Sequence, residues 1–251
     1  MISYIQALIS HSLLIAFIFS NNIEYELNII DSLSERGIHH ESFLRSKRLY
    51  KEHSNNIEVM CRMAGSTFIK AQNEQNLKKQ KNLFYRGFNY AKEALKSDSL
   101  NGYANFWYAA YIGRIGEIEG IKQAILNSYH VKKYGLRAIE FISKPYDPVH
   151  HMMGRWHYEL ADLNEFERIF ASLIYEKPPK GSYDKAIFFF STAIKIKPHE
   201  IRNHYWLAKT YKAIGKHLLA KKEFEIVISL NPRDIDDKKM QKDARNLLNK
   251  F

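Results

Sequence analysis

The sequence predicts an all-α protein, a tetratricopeptide-like array of helical hairpins (an α-solenoid) with an extra helix inserted in one repeat. The first 144 residues contain no proline, and glycine and proline supply 17 of the 251 residues. This favours long helices, because proline removes a backbone donor and clashes with the preceding turn. A motif also recurs at a spacing of 34 residues, the length of a tetratricopeptide unit.

The last repeat shows the motif most clearly. Its first helix matches the Leu-Gly-x-x-Tyr pattern, and its second matches Ala-x-x-x-Phe followed by proline. Ala186, Phe190 and Pro198 stand 34 residues before the equivalent positions, which indicates a second copy of the unit. The matching residues of the last repeat are Leu207, Ala208, Tyr211, Ala220, Phe224 and Pro232.

An insertion interrupts the repeat before it. Gly154 stands at the glycine position and His157 at the tyrosine position, but about 20 extra residues separate the two helices of this unit. We expect these residues to form a helix, because Asn164 and Glu167 have the spacing of a capping box and apolar residues recur at helical spacing. That apolar stripe comprises Leu163, Phe166, Ile169, Phe170, Leu173 and Ile174.

Two weaker units precede this one, beginning near Ile57 and Asn101, with serine at positions 99 and 143 where proline is expected. Residues 23–53 predict a leading helical pair broken at Gly37. Residues 236–251 predict a basic amphipathic helix that caps the array. The alternative for this last helix is a membrane-surface or calmodulin-binding helix.

Residues 1–20 differ in composition from the repeat domain predicted over residues 21–251. Residues 2–19 carry no charge, yet they barely reach the roughly 20 apolar residues of a spanning helix, and serines and a histidine dilute them. The basic start of a secretory signal is missing. The alternatives are a short membrane anchor, a cleaved signal and an ordinary terminal helix.

The net charge of +11 is concentrated in two blocks of the chain. Residues 45–100 contain 12 basic and 5 acidic side chains, residues 201–251 contain 12 and 6, and residues 101–200 are nearly balanced. Such a field attracts anionic partners: nucleic acid, acidic protein tails or lipid headgroups. The predicted basic patches are Lys78, Lys79 and Lys81 in the first block and Lys221, Lys222, Lys238 and Lys239 in the second.

The first helices of the repeats are expected to line a concave groove. Their inward positions run from small and apolar to aromatic and basic, which suits an acidic peptide or a phospholipid. The alternative is that these are ordinary solvated residues of a groove. The predicted groove residues are Phe68, Ile112, His151, Arg155, Tyr158, Tyr205, Lys209 and Lys212.

Catalytic, cofactor and metal sites are not predicted. Cys61 is the one cysteine, which excludes an intrachain disulfide. His150 and His157 share a helix face, whereas His151 and Glu159 fall on others, so these four do not form a metal site. The sequence shows no convergent acid, base and nucleophile, and no nucleic-acid-binding module. We therefore expect neither an enzyme nor a nucleic-acid partner.

Several segments of the chain carry a family resemblance. They are HHMMGRWHYELADL at 150–163, FER at 166–168, PP at 178–179, YDKA at 183–186, FWYA at 106–109, GIK at 120–122 and LRAIE at 136–140. In these segments the chain resembles the regulator of microtubule dynamics family, over residues 24–250. The long insertion inside a repeat is the most diagnostic feature. Departures are His157 at the tyrosine position and the two serines in place of proline.

The resemblance implies a non-enzymatic, cytoplasmic repeat protein that associates with microtubules and the spindle and supports chromosome segregation. Some members of the family are anchored at endoplasmic reticulum or mitochondrial membranes instead. The expected partners are tubulin and microtubules. Acidic peptide segments of other proteins, and phospholipid or membrane reached through residues 2–19, are the alternatives. The resemblance carries over no catalytic or tubulin-contact residues and no cofactor.

Overall fold

The computed structural model describes residues 22–174 and 179–250, and within these ranges it contains twelve helices and no strand. The all-α prediction is therefore confirmed. The helices are α1 (22–35), α2 (His39–Glu52), α3 (Ile57–Gln72), α4 (Leu77–Ser97), α5 (Gly102–Glu119), α6 (Ile121–Phe141), α7 (Asp147–Ala161), α8 (Glu165–Ile174), α9 (Tyr183–Ile196), α10 (Ile201–Ala213), α11 (His217–Ser229) and α12 (Ile235–Leu248).

The helices form hairpins that stack in chain order. The pairs α3/α4, α5/α6, α7/α9 and α10/α11 pack internally, and each second helix packs on the next first helix. Helix α1 joins α2 and α3 through Leu27, Ile30, Leu49 and Val59. Helix α8 is the predicted insertion, between the two helices of the fourth pair, and α12 closes the array against α10 and α11.

Asparagine caps begin three of the helices in the first half of the array. The Oδ1 atoms of Asn56, Asn76 and Asn101 accept bonds of 2.9, 3.0 and 2.9 Å from backbone amides in the first turns of α3, α4 and α5. Each cap satisfies an amide that has no partner within its own helix. Asn105 Nδ2 also donates to the Ser99 carbonyl at 2.9 Å, so side-chain hydrogen bonds hold the turn in which proline is missing.

Small residues let the paired helices approach closely, as the repeat pattern predicts. A Cβ atom on Gly154 would lie 2.6 Å from the Phe190 ring. Phe190 and its equivalent Phe224 are both fully buried, as are Ala186 and Ala220. The residues that recur every 34 positions are therefore the ones that pack the two helices of each hairpin together.

Gly87 is a second close approach, which the sequence pattern did not indicate. A Cβ atom there would lie 1.9 Å from the Tyr111 hydroxyl oxygen. Tyr111 is fully buried, and its hydroxyl donates to the Ala64 carbonyl at 2.6 Å. Because Gly87 has no side chain, α4 leaves space for Tyr111, which joins α5 to α3.

The helices predicted at the two ends of the array are present. Gly37 separates α1 from α2 with a φ of +76°, a left-handed conformation that glycine adopts without strain. Helix α12 begins one residue before the predicted position and buries Ala244.

The uncharged segment 2–19 and Phe251 lie outside the described residues. Within the described ranges, none of the helices has the length and apolar character of a bilayer-spanning segment.

Candidate binding groove

A cavity of about 810 Å³ occupies the concave side of the array. The first helices α3, α5 and α7 supply much of its wall. These helices line it with the predicted groove residues Phe68, His151 and Arg155, and also with Cys61, Gly65 and Ala109. Three of the eight predicted groove residues therefore line this cavity.

The two ends of the array approach each other across the groove, and both line the cavity. The turn between α1 and α2, with Glu35, Gly37 and His39, lines the same space as Glu200 and Arg233 near the other end of the chain. Lys197 Nζ lies 4.0 Å from Glu35 Oε1. Burial lowers the pKa of His39, against the opposing effect of Asp234. The first helical pair therefore meets the last repeats across the groove.

One part of the cavity wall is aromatic. Phe68 is half-buried, and its ring centroid lies 5.7 Å from that of Trp107 and 5.1 Å from that of Tyr111. Trp107 and Trp156 also line the cavity. An apolar portion of a ligand would find its contacts here.

The charged groups of the cavity wall balance each other. Among the described residues, seven positively and seven negatively charged side chains line it, and six of the seven positive ones form ion pairs within the set. The cavity therefore adds nothing to the net charge of +11. The pairs are Arg62 with Asp31, Arg114 with Glu117, Arg155 with Glu117 and Glu159, Lys197 with Glu35, Arg202 with Asp147, and Arg233 with Glu200.

A buried polar network forms the end of the cavity next to α10. Arg202 Nη2 donates to Asp147 Oδ2 at 2.8 Å, and Asp147 is 1% exposed. The Nδ1 atom of His151 lies 2.9 Å from Asn203 Oδ1. Burial, assisted by Arg202 and Arg155, holds the pKa of His151 well below its usual value. His151 is therefore a neutral hydrogen-bonding group at neutral pH.

Four of the predicted groove residues meet around Trp206. The Arg155 guanidinium carbon lies 4.6 Å from the Trp206 ring centroid, and Lys209 Nζ lies 4.5 Å from it. The Tyr158 ring packs edge-on against the same indole at 5.3 Å, and the Tyr205 ring at 5.9 Å. Burial lowers the pKa of Lys209, against opposing effects of Asp243 and Asp162.

Trp206 itself was missed by the sequence reasoning. It precedes the motif residues Leu207 and Ala208, and it lies three residues before Lys209. A lysine one helical turn after a tryptophan shares its face of the helix, and this spacing is the signal that identifies the cluster.

Five of the eight predicted groove residues do not line the cavity: Ile112, Tyr158, Tyr205, Lys209 and Lys212. Ile112 is 7% exposed and packs with Val131, Met153 and Trp156 between two repeats, because its position on α5 faces the neighbouring pair. Tyr158 and Tyr205 are largely buried, and Tyr205 donates its hydroxyl to Asp243 at 2.5 Å. Lys212 is exposed near the end of α10.

The predicted basic patches lie on the outer surface. Lys78, Lys79, Lys221, Lys222 and Lys238 are exposed. Two members of the patches are paired with carboxylates: Lys81 lies 2.7 Å from Glu119, and Lys239 lies 3.1 Å from Asp236.

The sequence profile described as regulator of microtubule dynamics protein 1–3 matches residues 27–251. The chain belongs to this family. Regulator of microtubule dynamics protein 1 of Bos taurus is 32% identical over 231 residues, covering 91% of this chain and 72% of the relative. Regulator of microtubule dynamics protein 3 of Mus musculus is 29% identical over 170 residues, covering 67% of this chain and 36% of the relative.

A solved structure supports the fold of this family member. A thermophilic TPR protein of Thermus thermophilus superposes with a TM-score of 0.60 over 88% of this chain and 98% of that chain. The identity is 13%, so the likeness shows the fold alone. The tetratricopeptide-like fold class is thereby confirmed.

Cys61 and His157 have side chains that can react or bind metals, but both are buried in the packed interior of this family member. Cys61 is 1% exposed, and burial raises the pKa of its thiol to about 12. His157 is 5% exposed and stacks on Phe189 with ring centroids 5.5 Å apart. Across residues 22–174 and 179–250, no three His, Cys, Asp or Glu side chains converge as a metal site.

Proposed function

We propose that the protein is a non-enzymatic helical-repeat scaffold that associates with microtubules through exposed lysines on its outer surface. The charge distribution carries this proposal. The cavity wall is electrically balanced, so the whole excess of +11 lies elsewhere on the chain. Relatives in the same family are named regulators of microtubule dynamics, and acidic tubulin tails are the partner that such lysines fit.

Exposed lysines attract an acidic peptide without a preformed pocket. Lys221 and Lys222 on α11 and Lys238 on α12 lie in the block with 12 basic and 6 acidic side chains. Contacts of this kind are weak singly and are screened over about 8 Å at physiological ionic strength. Several of them together raise the rate of encounter with an acidic partner. Association with the spindle, support of chromosome segregation and a cytoplasmic location belong to the same proposal.

Co-sedimentation with polymerised tubulin tests the proposal. The full chain should pellet with microtubules at low ionic strength, and the pelleted fraction should fall as salt is added. It should also fall when the acidic tails are removed from tubulin by proteolysis. The proposal fails if the chain does not pellet at low salt, or if removal of the tails leaves pelleting unchanged.

The cavity favours a second function, that of a membrane-tethered lipid-binding or organelle contact-site module. Its volume of about 810 Å³ falls within the range of small-ligand sites. Its wall combines the aromatic surface at Phe68 and Trp107 with the polar network at Arg202 and Asp147. An amphipathic ligand such as a phospholipid has the matching apolar and charged parts.

Extraction of bound lipid tests this second function. The protein should carry phospholipid when it is isolated from cells, and Ala110→Trp, which places an indole in the cavity from a half-buried position, should reduce the bound lipid. Flotation of the full chain with liposomes, compared with a chain that starts at Asn21, separates this binding from attachment through residues 2–19. Absence of both flotation and extractable lipid in the full chain would reject the function.

A further inference from the structure

Helix α8 turns its apolar side to solvent. Phe166, Ile169 and Leu173 are 85%, 59% and 78% exposed, and their spacing of three and four residues places them on one face. Ala171 is 3% exposed and faces the body of the protein. The inserted helix therefore presents three large apolar side chains away from the core.

Hydrogen bonds hold the first turn of α8 in place. The Glu167 amide donates to Asn164 Oδ1 at 3.0 Å, and the Asn164 amide donates to a Glu167 carboxylate oxygen at 2.9 Å, which completes the predicted capping box. Arg168 donates to the carbonyls of Ala161 and Leu163 at 2.8 and 2.9 Å. The start of α8 is thus tied to the end of α7.

Two other exposed leucines occupy the equivalent place in other repeats. Because the hairpins stack side by side, the turns inside the hairpins follow one edge of the array, and α8 is inserted in one of these turns. Leu77 begins α4 and is 79% exposed; Leu218 lies in the first turn of α11 and is 83% exposed. We call this the hairpin-turn edge.

Lysine pairs accompany both leucines. Lys78 and Lys79 follow Leu77, and Lys221 and Lys222 lie one turn after Leu218, all of them exposed. Apolar side chains beside lysines are the combination that binds a bilayer interface with anionic headgroups. The exposed apolar side chains of α8 belong to a single helix of ten residues. Their surface area is far smaller than the roughly 800 Å² that each partner of a stable protein dimer buries, so a bilayer suits them better than a second protein.

We propose that the hairpin-turn edge docks on a lipid bilayer that contains anionic headgroups. Phe166, Ile169 and Leu173 enter the interfacial region as a ridge, and Leu77 and Leu218 enter it at separate points. The lysines beside the leucines bind headgroup phosphates and carboxylates. This surface lies outside the cavity, and it is independent of what the cavity binds. The lysines are shared with the proposed microtubule contact, whereas the apolar side chains are not.

Site-specific fluorescence tests the proposal on the full chain. Cys61 is buried with a raised thiol pKa, so a cysteine introduced at an exposed position is the reactive one. A polarity-sensitive dye is attached in turn to Leu77→Cys, Leu173→Cys and Leu218→Cys. Leu100→Cys is the matched control, because Leu100 is 60% exposed in a turn between hairpins, on the opposite edge.

Vesicles of phosphatidylcholine and phosphatidylserine are then added. The emission at the three edge positions should increase and shift to the blue, and the emission at Leu100→Cys should not. Vesicles of phosphatidylcholine alone should give a smaller change. Because each dye responds only to its own surroundings, the measurement distinguishes this contact from attachment through residues 2–19. An unchanged emission at the edge positions, or an equal change at Leu100→Cys, would overturn the proposal.

A second variant tests the ridge of α8 itself. Phe166→Ser combined with Leu173→Ser alters exposed side chains, so the fold should be kept. In this background the emission change at Leu218→Cys should fall, while co-sedimentation with microtubules should match the parent chain. An undiminished emission change would show that the ridge of α8 is not part of the docking surface. A loss of microtubule binding instead would assign the ridge to that partner.

Discussion

The Arg155 guanidinium carbon lies 4.6 Å above the Trp206 ring, which joins the fourth helical pair to the fifth. Lys209 approaches the same indole at 4.5 Å. Two positive charges can share one ring here because Glu117 and Glu159 neutralise Arg155 and because the aromatic ring attracts cations. This contact connects the cavity, which Arg155 lines, to the basic end of the array.

Trp206→Ala should lower the free energy of unfolding by about 2–4 kcal/mol. The substitution removes the packing of the indole with Tyr158 and Tyr205 and leaves both cations without their aromatic partner. Urea denaturation followed by circular dichroism measures the loss. Trp206→Phe keeps a ring and should cost less, and an equal cost for the two variants would contradict the assigned role of the ring.

Gly87→Ala should destabilise the protein by about 3 kcal/mol, because the new Cβ atom would lie 1.9 Å from the Tyr111 hydroxyl oxygen and displace it from the Ala64 carbonyl. Gly113→Ala is the matched control. Its Cβ atom would meet only Val131, at 3.5 Å, and alanine favours the helix by up to about 1 kcal/mol. Thermal denaturation should show opposite shifts for the two variants, and equal shifts would contradict the packing described at Gly87.

His157 should make the protein less stable in acid. Burial, assisted by Lys185 and Lys132, lowers its pKa to about 4, whereas histidine in an unfolded chain titrates near 6.5. The native state therefore binds fewer protons, and the free energy of unfolding falls as the pH decreases from about 6.5 to about 4, by about 2–3 kcal/mol. His157→Phe should flatten this part of the pH profile. A profile with the parent slope would show that His157 is not its source.

His204 should have the opposite effect. Burial lowers its pKa, but hydrogen bonds to a Glu223 carboxylate oxygen at 2.6 Å and to the Pro198 carbonyl at 2.8 Å outweigh burial and raise it. Because both partners only accept, the ring satisfies them when both nitrogens carry protons.

This stabilisation is present below the unfolded pKa of about 6.5 and is lost as the pH rises through the higher native pKa. His204→Gln should therefore reduce stability more at pH 6 than at pH 8. Denaturation curves at the two pH values check this, and an equal loss at both would contradict a raised pKa.

The repeat spacing predicted the packing within hairpins because the same residues meet in each unit. Ala186, Phe190, Ala220 and Phe224 are all fully buried. The capping box at Asn164 predicted the start of α8 for a similar reason, since both of its partners lie within one turn.

Features that depend on distant parts of the chain were not visible in the sequence. The approach of Lys197 to Glu35 results from the bending of the whole array, which no local pattern records. Gly87 looks like any glycine in a helix until Tyr111 is placed against it. The apolar stripe of α8 predicts a helix, but its spacing does not tell whether Phe166 and Leu173 face the core or solvent.

If an acidic partner binds the exposed lysines outside the balanced cavity, reversing the charge of these lysines should remove the binding, and reversing the charge of other lysines should not. Lys221→Glu with Lys222→Glu reverses two exposed lysines of α11, and Lys122→Glu with Lys195→Glu reverses two exposed lysines outside the cavity in the nearly balanced middle of the chain. Both chains have the same net charge. In co-sedimentation with microtubules at low ionic strength, the first variant should lose most of its binding and the second should keep most of it. Equal retention by both variants would show that Lys221 and Lys222 do not bind the microtubule.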